Sequence, residues 1–105
     1  MLAVTRHEVP EADDASFRER AAEMLDALSA CTGYVNGRVG RALDDPAAWV
    51  IITEWENVGA YRRALSSFDV RVRAVPLLAT ARDEPSAFEV LLDGETGSRP
   101  SDRAS

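Results

Sequence analysis

Two side chains in this sequence of 105 residues have acid–base or nucleophilic chemistry near neutral pH: the single histidine, His7, and the single cysteine, Cys31. An imidazole titrates near neutral pH, so His7 could act as a general base if it faced a pocket. It alternates onto the same face of a predicted strand as Ala3 and Thr5; a partly exposed strand histidine is the other interpretation. Cys31 has no adjacent base to activate it and is interpreted as a small buried apolar residue.

The aromatic pair Trp55 and Tyr61 stands six positions apart across a predicted strand–helix junction and is the best functional clue in the sequence. Asn57 lies between them and is a typical helix N-cap, so Trp55 ends the strand and Tyr61 falls on the first apolar stripe of the helix. Aromatic residues at such positions also serve in core packing and dimer contact, and that interpretation stays open.

Metal and nucleotide cofactors are not expected. One histidine and one cysteine far apart in sequence do not form a metal site. The acidic pairs Asp44-Asp45 and Asp83-Glu84 each stand next to a proline and predict turns. The sequence contains no glycine-rich phosphate-binding loop.

The elements that would position these residues follow the order β-α-β-β-α-β. Alternation with period two predicts strands, and apolar residues at helical spacing predict two helices. A polar tail follows, rich in Gly, Ser, Arg and Pro, and is predicted to be disordered. The predicted strands are 2–9, 34–43, 47–56 and 87–92, and the predicted helices run from about 17 to 30 and from 57 onward. One domain covers residues 1–93, and the tail is 94–105.

Three details of this pattern are less regular. Residues 68–75 fit a strand or a helical face, and a short helical segment that ends near Pro76 is favoured. In the second strand, glycines predict a bulge or the close approach of another backbone. Strict alternation along this strand places Tyr34 on the same face as Asn36 and Arg38. The apolar stripe predicted for the second helix consists of Val58, Tyr61, Leu65 and Phe68.

This element order is typical of a ferredoxin-like α+β fold, whose antiparallel sheet carries both helices on one face. The third strand is apolar on both faces, so in a monomer the face without helices would be exposed. The sequence therefore predicts a homodimer with two sheets packed face to face around a two-fold axis. The two faces are Trp49, Ile51, Thr53 and Trp55, and Ala48, Val50 and Ile52.

Composition limits the partners. The net charge is −6, and every basic residue is an arginine without a basic cluster, so nucleic acid and anionic membranes are not expected. No apolar run approaches the roughly 18–20 residues of a membrane span. A single cysteine permits no internal disulfide, and the start of the chain has no signal-peptide pattern. A cytoplasmic protein is expected.

Three short motifs resemble a known family: Gly33-Tyr-Val at the start of the second strand, Thr53-Glu-Trp-Glu at the end of the third, and Asn57-Val-Gly-Ala-Tyr-Arg at the start of the second helix. Over roughly residues 2–92 the chain resembles the antibiotic biosynthesis monooxygenase family, within the dimeric α/β-barrel superfamily. The resemblance implies a dimeric α/β barrel. It also implies oxygenation, without a cofactor, of a small phenolic, quinol-like or polyketide-like aromatic compound by molecular oxygen.

The resemblance also implies site residues. In the aromatic-polyketide branch of the family, a tryptophan at the end of strand three and a tyrosine six residues later line the pocket. Trp55 and Tyr61 match those positions and are the predicted catalytic residues. The same branch has an asparagine four residues before the tryptophan, where this chain has Ile51. The predicted substrate-binding residues are Asn36, Arg38, Arg73 and His7, either arginine being able to supply a cation for a phenolate.

Two other functions occur among proteins of this kind. One is binding of a small molecule without catalysis. A titration in which an aromatic compound binds but no oxygen is consumed would support it. The other is haem degradation, whose members use an axial histidine after strand three, a tryptophan on helix two and an asparagine in strand one. Helix two and the stretch after it contain no histidine, Ala64 stands at the tryptophan position, and the strand-one position falls near Thr5. Haem degradation is therefore not expected.

Overall fold

The computed structural model describes residues 1–94, so the predicted tail lies outside the described residues except for Gly94. The elements follow the predicted order, with the second helical region divided into three short helices. None of the described helices is both long and apolar enough to cross a membrane. The elements are β1 (Leu2–Glu8), a 3-10 turn (Glu11–Asp13), α1 (Asp14–Ser29), β2 (Tyr34–Ala42), β3 (Asp45–Trp55), α2 (Val58–Ser66), α3 (Phe68–Arg73), α4 (Val75–Leu78) and β4 (Ala87–Phe88).

Within residues 1–94, four strands form one antiparallel sheet in the order β2-β3-β1-β4. The two central strands pair along their whole overlap, from Leu2 opposite Glu54 to Glu8 opposite Ala48. This arrangement confirms the predicted ferredoxin-like α+β fold. It also brings the start of the chain beside the end of β3, because β1 and β3 run in opposite directions.

One face of the sheet carries the helices and the core. Alternate residues of β3 are at most 5% exposed on this face, as the pattern of the strand predicts. They pack with the amphipathic face of α1 in a single hydrophobic cluster. The opposite face, which we call the open face, is half-buried, and no helix among the described residues covers it. Its apolar residues are Leu2, Val4, Ala48, Val50 and Ile52, together with Phe88 of β4, which lies opposite Leu2.

Strand β2 contains a bulge, one of the two alternatives predicted from its glycines, but the bulge lies at Val35 and not at a glycine. The register changes there, because Tyr34 lies opposite Trp55 whereas Asn36 lies opposite Glu54. The extra residue turns Tyr34 to the helix face, where its ring packs edge-on against Trp55 with centroids 5.4 Å apart. Strict alternation placed Tyr34 with Asn36, and that prediction is wrong because a bulge inverts the faces on one side of it.

The N-terminus of α2 is as predicted. Asn57 has extended backbone, and its side-chain oxygen accepts a hydrogen bond from the backbone N–H of Ala60 at 2.8 Å. This cap satisfies one of the free N–H groups of the first turn. It also fixes the position of the first turn, which carries Tyr61.

The ambiguous stretch 68–75 is helical, but its phase differs from the prediction. Ser67 leaves the helical conformation with ψ at 149°, and its hydroxyl caps the next helix, α3. This break resets the helical phase, so Val70 is buried and Phe68 is 81% exposed. The prediction that Phe68 belongs to the buried stripe is therefore wrong. The prediction is also wrong for Val58, which is the first residue of α2 and is 44% exposed. Pro76 does not end the segment, because it lies in the first turn of α4, where its missing N–H costs no hydrogen bond.

Strand β4 is shorter than predicted. Only Ala87 and Phe88 pair with β1, opposite Ala3 and Leu2. In this antiparallel register Val90 would lie beyond Leu2, where β1 begins, so no strand is left to pair with it. Alternation alone predicted six residues because it carries no information about the length of the partner strand.

Candidate functional site

Of the cavities in the described part of the chain, two adjoin each other between the sheet and the helices and are lined by the predicted site residue Tyr61. The outer cavity measures about 540 Å³ and is bounded by β1, α2, α4 and the segment 79–86. The inner cavity measures about 10 Å³ and lies deeper, between β1, β3 and α1. Thr5, Tyr61 and Leu78 line both, so the inner cavity continues the outer one towards the core. The outer cavity has the size of a small-molecule site, typically about 300–1,000 Å³.

The wall of the inner cavity is mostly apolar. Its polar side chains are Thr5, Thr53 and Tyr61. Ile51 stands where the resemblance implies an asparagine, and it adds a further apolar surface. At about 10 Å³ the inner cavity has room for no more than one water molecule, so its wall can contact only the edge of a ligand that sits in the outer cavity. An apolar edge suits this contact better than a charged group. The other apolar lining residues are Ala3, Met24, Leu28 and Leu78.

Tyr61 is the predicted site residue that meets both cavities. It lies in the first turn of α2, and its ring is tilted against Trp55 with centroids 5.6 Å apart. Burial raises the pKa of its hydroxyl above the ordinary value, because the phenolate would lose its hydration. Tyr61 therefore stays protonated at neutral pH and can donate a hydrogen bond to a ligand oxygen.

Trp55 lies behind Tyr61 and lines neither cavity. It is 1% exposed, and its ring sits between those of Tyr34 and Tyr61. The indole N–H donates to the Thr53 hydroxyl at 2.9 Å. Trp55 therefore supports the site indirectly: it packs behind the Tyr61 ring and holds that ring in the cavity wall.

His7 is almost fully buried, at 2% exposure, so its interpretation as a partly exposed strand histidine is wrong. Both ring nitrogens contact hydroxyl groups: Nε2 lies 2.9 Å from Thr5 Oγ1, and Nδ1 lies 3.1 Å from Thr80 Oγ1. Burial lowers the pKa of the imidazole, which keeps it neutral at neutral pH. Through Thr5, His7 is one hydrogen bond away from the wall of both cavities.

The other three predicted substrate-binding residues lie apart from the outer and inner cavities, although Arg38 lines a separate cavity of about 520 Å³ between α1 and β2. Asn36 and Arg38 pair with open-face residues of β3, on the opposite side of the sheet. Arg73 is held at the helix surface by ion pairs with Asp26 at 2.8 Å and Asp69 at 3.0 Å. The structure therefore does not bring either arginine to a ligand in the outer or inner cavity.

Charged groups at the outer cavity come from a segment that the sequence indicated only as a turn. Arg82, Asp83 and Glu84 line its rim. Glu84 accepts from Arg6 at 2.8 Å, and this bond lowers the pKa of the carboxyl group. Backbone bonds from this segment to β1 place it there, including Arg82 N–H to the Arg6 carbonyl at 2.8 Å. No group of three or more His, Cys, Asp or Glu side chains in residues 1–94 is arranged to hold a metal ion.

Comparison with known proteins gives both a family and a curated relative. A family model, antibiotic biosynthesis monooxygenase, matches residues 1–72. The 42.8 kDa protein in the whiE locus of Streptomyces coelicolor is 25% identical over 84 residues, which are 80% of this chain and 21% of that protein. The chain thus spans about a fifth of the length of this curated relative.

Solved structures share the fold. A variant of SnoaB, a cofactor-independent oxygenase from Streptomyces nogalater, has a TM-score of 0.69 and 26% sequence identity, covering 88% of this chain and 96% of that one. A conserved protein from Methanosarcina mazei Go1 has a TM-score of 0.67 and 17% identity, covering 82% and 84% of the two chains. The family model spans more than half of the sequence and agrees with the observed fold. The chain therefore belongs to the antibiotic biosynthesis monooxygenase family.

Proposed function

We propose that the chain is a cofactor-independent monooxygenase that oxidises a small phenolic, quinol-like or polyketide-like aromatic compound with molecular oxygen. Membership of the family and similarity to SnoaB support this reaction class. The observation that carries the proposal is Tyr61, whose ring, backed by Trp55, meets a cavity with a largely apolar inner end.

The reaction requires an ionised aromatic ligand, because the anion donates an electron to oxygen far more readily than the neutral phenol. One oxygen atom enters the product as a carbonyl, and the other leaves as water with the two hydrogens lost by the substrate, so no external reductant is consumed. The protein has to exclude water, orient the ligand and accept its proton. The apolar inner wall supports the first of these tasks, and the Tyr61 hydroxyl supports the second.

Oxygen uptake with a panel of anthrones and hydroquinones tests the proposal. We expect chelator-treated wild-type protein to consume oxygen with at least one member. Tyr61→Phe should lower kcat/KM about 10- to 100-fold, because a hydrogen bond to a charged ligand contributes roughly 1.5–3 kcal/mol. Trp55→Phe should have a smaller effect through the position of Tyr61.

Tyr34→Phe is the matched control for Tyr61→Phe. Both tyrosines pack against Trp55, but Tyr34 lines neither cavity, so its hydroxyl should not matter for uptake. Equal losses for the two variants would contradict the role given to Tyr61. If the panel binds without any oxygen consumption, the chain is a small-molecule-binding protein instead. The apolar side chain of Ile51 in the inner wall is the observation that favours this second function.

We also propose that the protein is a homodimer joined through the open face. Apart from Phe88, the apolar residues of this face lie in the two central strands, and no described helix shields them. We expect sedimentation at micromolar concentration to give twice the mass of one chain, and Ile52→Glu to give a monomer because a charge would be buried at the contact. Val72→Glu, a similar change at a site on the helix side that is 55% exposed, is the control. A wild-type monomer would contradict the proposal.

A further inference from the structure

Three hydrogen-bonded side chains, Thr5, His7 and Thr80, connect the wall of the inner cavity with another cavity. Thr5 lines the outer and inner cavities and is 7% exposed. His7 and Thr80 line another cavity of about 320 Å³, which we call the distal cavity. Thr80 is exposed there, whereas the imidazole is buried. The chain of hydrogen bonds therefore links the candidate ligand site to a titratable group that the ligand does not touch.

The proton positions in this chain follow from Thr80. Its hydroxyl donates to the Leu77 carbonyl at 2.7 Å, and a carbonyl oxygen can only accept. A hydroxyl has one proton, so Thr80 must accept from Nδ1–H of His7. A neutral imidazole carries one N–H, which leaves Nε2 without a proton. Nε2 therefore accepts the hydroxyl proton of Thr5 at 2.9 Å.

This direction decides what Thr5 offers to a ligand. Its proton is held by His7, so only its oxygen lone pairs remain for a group in the cavities. A ligand hydroxyl can donate to Thr5, whereas a ligand carbonyl finds no donor there. Tyr61 lines the same cavities and is kept protonated by burial, so it offers a hydrogen-bond donor where Thr5 offers an acceptor. The wall thus distinguishes an oxygen that carries a proton from one that does not.

We propose that Thr5 and His7 together accept the proton of a phenolic ligand, an inference that rests on the proposed function. The ligand O–H bond breaks as its proton moves to Thr5 Oγ1, and the Thr5 proton moves to Nε2 of His7. The ligand becomes a phenolate, and His7 becomes an imidazolium that still donates from Nδ1 to Thr80. The same path returns the proton to the oxygen atom that leaves as water, so the proton count balances over a turnover.

The surroundings of His7 suit this role. From α1 the ring meets Phe17, with centroids 5.3 Å apart, and across the sheet its strand neighbour is Trp49. Among residues 1–94 no carboxylate hydrogen-bonds to the ring, so His7 is neutral before a ligand binds. A phenolate beside Thr5 would raise the pKa of the imidazole, because an opposite charge favours the protonated form. The charged residues that line the distal cavity with His7 are Glu8, Asp13 and Arg20.

NMR of the full chain labelled with ¹⁵N-histidine tests the relay directly, since the single histidine makes the ring signals unambiguous. Near neutral pH we expect the Nδ1–H tautomer with Nε2 unprotonated. Adding 4-nitrophenol at a pH below neutral, where most of it is un-ionised in solution, should convert the ring to the imidazolium while the phenolate absorbance rises above that of the free compound. An Nε2–H tautomer in the free protein would overturn the proposal. So would an imidazole that stays neutral up to the solubility limit of 4-nitrophenol, whether or not the phenol binds.

Kinetics separate this inference from the proposed function. For an oxidised substrate, Thr5→Val should lower the rate of oxygen uptake about 100-fold, within the usual range for acid–base catalysis, and Thr5→Ser should restore most of it. The wild-type rate should fall as the pH falls through the lowered pKa of His7, because the imidazolium cannot accept a proton. The rate of the His7→Gln variant should not show this fall at low pH. It should instead increase with pH as more of the phenol ionises in solution.

Each outcome has one meaning. If the imidazolium forms with 4-nitrophenol but the protein consumes no oxygen with any panel member, the proposed function is contradicted and the role of Thr5 and His7 as proton acceptor is supported. If oxygen is consumed while Thr5→Val and His7→Gln keep the wild-type rate and pH profile, the proton acceptor fails and the proposed function stands. Thermal unfolding of each variant shows that a lost rate does not come from a lost fold.

Discussion

Replacing Trp55 with alanine is expected to lower the free energy of unfolding by about 3–5 kcal/mol, the usual cost of removing a buried large aromatic side chain. Trp55 is 1% exposed and lies at the end of β3, between the rings of Tyr34 and Tyr61. The backbone of β3 is held on both sides by β1 and β2, so it cannot move inward to fill the space. Because the stability of a domain is roughly 5–15 kcal/mol, this one change removes a large part of it.

Urea unfolding followed by far-UV circular dichroism measures this effect without relying on tryptophan fluorescence. Phe68→Ala is the control, because it also deletes a large aromatic side chain, but one that is 81% exposed. Its free energy of unfolding should stay within about 0.5 kcal/mol of the wild-type value. A loss below 1 kcal/mol for Trp55→Ala would contradict the packing described around this residue.

Replacing Gly33 with alanine is expected to cost about 2–5 kcal/mol, the sum of two separate effects. Gly33 has φ at 90°, and a left-handed conformation costs a residue with a side chain roughly 1–2 kcal/mol. An added Cβ would also fall against Cβ of Ala60 in α2, and overpacking of this kind typically costs about 1–3 kcal/mol. The strain would move α2 and with it Tyr61, so ligand binding should weaken as well.

Gly40→Ala is the matched control in the adjoining strand β2. Its added Cβ would lie 3.5 Å from a Val50 methyl group, an ordinary contact, and its φ is not positive. Stability should therefore stay the same or rise by up to about 1 kcal/mol, because alanine restricts the unfolded chain. Similar unfolding midpoints for Gly33→Ala and Gly40→Ala would count against the close packing of Gly33 on α2.

The sequence by itself determined the fold class and the faces of the main elements. Alternation along β3 and helical spacing along α1 depend only on the geometry of a strand and a helix, so they can be predicted without any knowledge of neighbours. The cap at Asn57 is equally local, because its partner, the Ala60 N–H, lies three residues away. These local signals also predicted the strand–helix junction that carries Trp55 and Tyr61.

Only the tertiary structure decided which side chains meet at the candidate site. Thr80 reaches His7 across 73 positions of sequence, a distance over which periodicity carries no information. The arginines chosen for their charge lie elsewhere, since Arg73 pairs with Asp26 and Arg38 follows the strand register to the open face. Local patterns predict faces, but a site needs distances between elements, and these are set by packing.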